Sequence, residues 1–218
     1  MKQPKERWGL GIVLAVSLLI GGGCGGTGKT FYLDLQQTQP VARHQEMEPV
    51  KIVIEPFEDR RQENNWLGLR THLWGGVTYF NVLGGRPGDV IAQALADRLK
   101  TRGWKGRAWM VRTASSGTVI DLNDADIVIS GQLLDFSANA KSRVFSTVVS
   151  TSSKMVITAR NLGDQSTTIR TVEGAQRDTV IWFNEADVQQ LLAATLKDSI
   201  DRFLDDTTIN QKALRPTR

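Results

Sequence analysis

Apolar and polar residues alternate most strongly in the second half of the chain. The stretches ADIVISGQLLDFSA, SRVFSTVVSTS, KMVITARN and TTIRTVEGA, from Ala125 onward, are rich in Val, Ile, Thr and Phe and predict successive strands. Turn signals fall at Asn139-Ala140-Lys141, Ser152-Ser153 and Asn161-Leu162-Gly163-Asp164. Sequential antiparallel pairing is the economical arrangement for such strands. Their many serines and threonines suit a sheet with one face in water. Upstream, VKIVIEPF (Val50 to Phe57) reads as a buried strand and GRAWMV (Gly106 to Val111) as a short one.

Two segments carry helical periodicity instead. Pro87 suits a first turn and Gly103 a stop, and between them Ile91, Ala94, Leu95 and Leu99 share one face. The second segment begins at Asn184, an N-cap residue with Asp187 three positions on. It lines one face with Val188, Leu191, Leu192, Leu196 and Phe203 and ends near Asp205-Asp206. The expected fold is α+β: two amphipathic helices packed on one face of a mostly antiparallel sheet, a two-layer sandwich over residues 50–206. Residues 207–218 are polar and are expected to form a flexible tail.

Residues 62–86, QENNWLGLRTHLWGGVTYFNVLGGR, break this regularity. Their glycines argue against a continuous helix and their aromatics against a free linker. Trp66, Leu69, Trp74, Tyr79 and Phe80 are the candidates for contact with a partner or a membrane interface. The alternative is a hairpin folded onto its own core. Just before it, Glu58-Asp59 has the residue types for acid–base work, but Arg60-Arg61 favours a strand-end turn with local salt bridges.

Half of the net charge of +4 comes from the N-terminal segment, where Lys2, Lys5 and Arg7 face only Glu6. The remainder is nearly balanced, which gives no electrostatic footprint for nucleic acid. The single cysteine, Cys24, excludes an intrachain disulfide and a zinc site built from several thiolates. His44 and His72 stand outside metal-ligand spacing. No G-x-S-x-G, H-E-x-x-H or C-x-x-C is present, and together with the N-terminal pattern around Cys24 this leads to the expectation of a non-enzymatic chain with no catalytic residue, metal or cofactor.

The stretch GGGCGGTGKT fits two incompatible patterns. Gly23, four residues and Gly28-Lys29-Thr30 spell a phosphate-binding loop. That loop needs a helix starting at Lys-Thr, yet FYLDL follows and reads as a strand, with Pro40 shortly after. The nearest acidic partner for magnesium, Asp121, sits in a turn-like context. The other pattern is a basic start, an uncharged apolar run from Gly9 to Ile20, then Gly21-Gly22-Gly23 before Cys24. The run is too short to span a bilayer comfortably, which takes about 20 residues. This arrangement resembles the lipobox of bacterial lipoproteins, with Gly21 where Leu is usual. The resemblance implies a signal peptide at 1–23 and an acylated (palmitate-bearing) Cys24 as the first mature residue. It implies a lipidated N-terminus and tether at 24–49. The lack of Asp after the cysteine implies the outer membrane, facing the periplasm.

The Cys24 lipobox, the helix VIAQALADRLKTRGW, the run DADIVISGQLLDFSANAKSRVF and the closing helix ADVQQLLAATLKDSIDRFLDD together resemble the YajG-like family of uncharacterised bacterial lipoproteins. The layout is also similar to LptE and to auxiliary lipoproteins of envelope ABC transporters. These resemblances imply no catalysis, membrane attachment through the lipid, and an envelope protein partner. The alternative expectation is a binding module for a lipid or small ligand, held between the sheet and segment 62–86.

Overall fold

The computed structural model describes residues 28–35, 48–84, 86–104, 108–114 and 124–217. The signal segment 1–23, Cys24 and Asp121 lie outside them. The described residues form two helices and a large mixed sheet.

The long strands are β7 (Ile127–Ser142), β8 (Thr147–Asn161) and β9 (Thr167–Val180), an antiparallel meander as the sequence predicts. One expectation fails here. Asn139-Ala140-Lys141 and Ser152-Ser153 are not turns but lie within β7 and β8. The reversal falls instead at Arg143–Ser146, where Arg143 N–H donates to Ser146 O at 2.7 Å. A bulge at Leu133/Asp135 inserts Leu134 and switches the inward parity of β7. Ile127, Ile129 and Leu133 point into the core before it, and Phe136, Ala138 and Ala140 after it. Full burial of each large side chain among these stabilises the fold by about 1.5–3 kcal/mol.

The other edge of β7 is paired in parallel by three successive pieces of upstream chain. These are β2 (Val50–Ile54), β3 (Glu58–Asp59) and β4 (Gly68–Thr71). β4 turns back into antiparallel β5 (Val77–Val82), and β5 is flanked in parallel by β1 (Thr30–Leu33). On the far side β2 pairs in parallel with β6 (Trp109–Thr113). The expected antiparallel sheet therefore holds for the meander, while the sheet as a whole is mixed. Within residues 62–86, β4 and β5 form the hairpin that the sequence offered as the alternative, and it is built into the sheet. The tether assigned to 24–49 is likewise too long, because β1 belongs to the domain and Leu33 and Leu35 are buried in its core.

Both helices form where their periodicity predicts. α1 (Pro87–Thr101) starts on Pro87 and buries Ile91, Leu95 and Leu99. α2 (Glu185–Asp205) starts in a capping box, with Ala186 N–H donating to Asn184 Oδ1 and Asn184 N–H donating to Asp187. It lies on β8 and β9 through a buried polar seam, in which Thr151 bonds Thr195 and Ser153 bonds Ser199, each at 2.6 Å. Gly174 permits this approach, because a Cβ there would stand 2.5 Å from Ser199 Oγ and 2.9 Å from Thr195 O.

The helices are joined by Asp201, which accepts from Arg98 Nε at 2.6 Å and pairs with Arg102 at 2.8 Å. Burial alone would push the Asp201 carboxyl up, but the hydrogen bonds and charges of both arginines outweigh it and hold it below its ordinary value. A carboxyl so depressed contributes fully above the unfolded value of about 3.9, and that contribution is lost as pH falls through the lower folded value. Asp201→Asn is expected to lower the urea midpoint at neutral pH and to flatten its decline below about pH 4. Urea titrations across pH check this, and an unchanged acid limb would assign the decline to other carboxylates.

The expected flexible tail is also corrected. Residues 207–216 form a hairpin of β10 (Thr207–Asn210) and β11 (Ala213–Pro216). Leu214 enters the core, and its backbone is held at both ends by Asn161, with Leu214 N–H donating to Asn161 Oδ1 at 2.7 Å and Asn161 Nδ2 to Leu214 O at 3.1 Å. A side-chain amide here replaces a strand partner.

Candidate functional site

Lys29 and Thr30 do not begin a helix. Thr30 opens β1, and Lys29 O accepts from Tyr79 N–H at 2.9 Å as part of the pairing with β5. Without a helix N-terminus behind it, the Gly-Lys-Thr triplet has no axial dipole to offer a phosphate. Among the described residues no group of three His, Cys, Asp or Glu side chains is placed to hold a metal ion. No described helix is long and apolar enough to cross a membrane. His72 bonds Thr78 Oγ1 through Nε2 at 2.8 Å, which ties it to its own hairpin.

The five contact candidates separate by strand geometry. Phe80 points inward and is 0% exposed, so its candidacy for partner contact is corrected to a core role. Its alternation partner Tyr79 faces outward opposite Leu69, and the Tyr79 ring stacks on Trp66 at 4.4 Å between centroids. Trp66, Leu69 and Tyr79 thus make one half-exposed patch on the outer side of the β4–β5 hairpin. Trp74 stands apart at the hairpin tip, 92% exposed.

Beside this patch the chain leaves β7 between β3 and β4, and a cleft of about 730 Å³ opens there. Arg60, Trp66, Leu69, Leu134, Ser137 and Asn139 contribute to its walls. The gap would strand backbone carbonyls, and Arg61 fills that role. Its guanidinium donates to Trp66 O at 3.1 Å and Phe136 O at 3.2 Å, and grips Asp59 through Nε at 2.9 Å and Nη2 at 2.8 Å. Glu58 pairs with Arg60 at 2.7 Å. The acidic pair is therefore engaged by its own arginines, as the charge order Glu-Asp-Arg-Arg suggests. Burial alone would raise the Asp59 carboxyl, but its bonds from Arg61 outweigh that and lower it. Such a carboxylate is a structural acceptor, not a poised proton donor.

Sequence reasoning missed a second feature. Among the described residues, apart from Trp74, the most exposed large apolar side chains are Trp182 at 88% and Phe145 at 86%, each with an exposed aliphatic neighbour, Ile181 and Val144. Each pair is visible in the sequence, but pairs so far apart in the chain give no sign that they share one end of the sheet.

No family model matches the sequence, and no curated protein matches it. A lipoprotein from Neisseria meningitidis aligns over 69% of this chain and 97% of its own, at 12% identity and TM-score 0.35. A Helicobacter pylori protein described as a neuraminyllactose-binding hemagglutinin homolog covers 84% of this chain and 94% of its own, at 9% identity and TM-score 0.44. A Xanthomonas campestris protein described by the family model DUF330 aligns over 81% of this chain and 92% of its own, at 10% identity and TM-score 0.52. What the chain shares with the Xanthomonas protein is its fold, over nearly all of that protein.

Proposed function

We propose that this chain is a non-enzymatic envelope lipoprotein of the YajG-like kind. An acylated Cys24 holds it at the periplasmic face of the outer membrane, and its α+β domain binds another envelope protein. The observation that carries this reading is the N-terminal order: a basic start, the uncharged run Gly9 to Ile20, three glycines and the only cysteine. The described residues begin four positions later with Gly28, whose N–H donates to Val77 O at 3.0 Å. Two acyl chains suffice for stable attachment, where one gives only reversible binding.

Cys24→Ala is expected to move the protein from the membrane pellet to the soluble fraction, with loss of palmitate labelling. Wild type that takes no lipid label, and a variant that stays in the pellet, would sink the proposal. Density-gradient separation of inner and outer membranes tests the location, and crosslinking from the native envelope identifies the partner.

A second reading is favoured by the cleft beside Arg60, Trp66 and Leu134, which has the volume for a small ligand or a lipid segment. Native mass spectrometry of the purified protein tests it. A bound mass abolished by Trp66→Ala is expected, and a clean apo spectrum would count against it.

A further inference from the structure

We infer that one end of the sheet rests on the bilayer itself, through the loop tips Leu73-Trp74, Val144-Phe145 and Ile181-Trp182. The inference builds on the proposed anchor at Cys24.

Strand register places the three tips together. Thr71, the last residue of β4, is opposite Val77 of β5 and beside Lys141 of β7. The next β7 residue, Ser142, is opposite Thr147 of β8, which is opposite Val180 of β9. All three loops therefore leave the sheet at one end. Arg70 ties them laterally, donating to Ser142 Oγ at 3.1 Å while its guanidinium lies 3.8 Å from the Phe183 ring centroid. From β1 to β9 this end spans five strand spacings, about 24 Å.

The N-terminus leaves from the same end. Gly28 is bonded to Val77, the first residue after the β4–β5 tip. Four residues of chain reach at most about 14 Å, so an acylated Cys24 holds this end of the domain close to its membrane. The tips then face the headgroup layer. Two carry Trp, which favours the membrane–water interface, and one carries Phe beside the exposed cation Arg143. A water-facing end would instead leave three apolar pairs exposed in one row, a pattern that marks a binding surface.

The test uses the full acylated protein reconstituted in vesicles of phosphatidylethanolamine and phosphatidylglycerol. Acylation consumes the only native thiol, so a fluorophore can be placed at Trp74→Cys, Phe145→Cys or Trp182→Cys, with Gly163→Cys at the far β8–β9 turn as reference. These positions are exposed, and thermal melts matching wild type confirm folding. Doxyl-labelled lipid should quench the three tip probes several-fold more than the Gly163 probe. Tip probes quenched no more than the reference, in protein that stays membrane-bound, would overturn the inference and leave the anchor reading intact. Tip probes shielded from water-soluble quencher only in native envelopes, and not by lipid vesicles, would also overturn it and assign the end to a protein partner. A second label on Cys24 together with loss of membrane attachment would overturn the anchor reading, and the orientation with it.

Discussion

Arg61→Ala is expected to destabilise the domain by about 3 kcal/mol, the low end for breaking a buried ion pair. The Arg61 side chain is only 5% exposed, while Asp59 is 25% exposed and can recover part of its hydration. The loss has two parts. Asp59 keeps its charge in a partly buried site, and the carbonyls of Trp66 and Phe136 lose the donor that stands in for a strand neighbour. Chemical denaturation measures it. The double variant Arg61→Met with Asp59→Asn should recover part of the loss, because no charge is then stranded. Arg61→Ala within about 0.5 kcal/mol of wild type would mean that water fills the gap as well as the guanidinium does. The exposed pair Arg60–Glu58 should by contrast contribute about 1 kcal/mol at most.

The second large effect is expected at Gly88. Its carbonyl accepts from Phe57 N–H at 3.2 Å, which draws the start of α1 against the chain leaving β2. A Cβ at Gly88 would stand 1.9 Å from Phe57 O and 2.8 Å from Phe57 C, backbone atoms that cannot rotate away. Phe57 cannot retreat either, because its ring lies on Gly131, where a Cβ would meet Phe57 Cε2 at 2.4 Å. Gly88→Val must therefore shift the helix off the sheet, at a cost of about 3 kcal/mol or more. Gly163→Ala, with nothing within 4 Å, is the control and should be close to neutral. A Gly88→Val melt that overlays the control would show that α1 can translate without losing its contacts.

Elements set by neighbours in sequence were legible. Pro87, the Asn184–Asp187 cap and the apolar faces of both helices act within a few residues, and both helices form on them. The same locality misled at Ser152-Ser153. Small polar residues usually mark turns, but here Ser153 packs against Ser199 on α2, 46 residues away. It misled again in the tail, where an ordinary polar run is ordered by Leu214 and the distant amide of Asn161. Phe80 shows the limit for the candidate site. The sequence marks an aromatic there, but only pairing opposite Gly68 decides that it points inward while Tyr79 points out.

The sequence by itself determined the helix limits, the strand content from Ile127 onward and the lone cysteine behind an apolar run, because each depends on spacing along the chain. Only the tertiary structure decided that β2, β3 and β4 run in parallel along β7, since such pairing depends on register between distant segments. The same register gathers Trp74, Phe145 and Trp182 at the end of the sheet where Gly28 lies, and the pairing of β3 and β4 along β7 brings Arg61 to the carbonyls left bare between them.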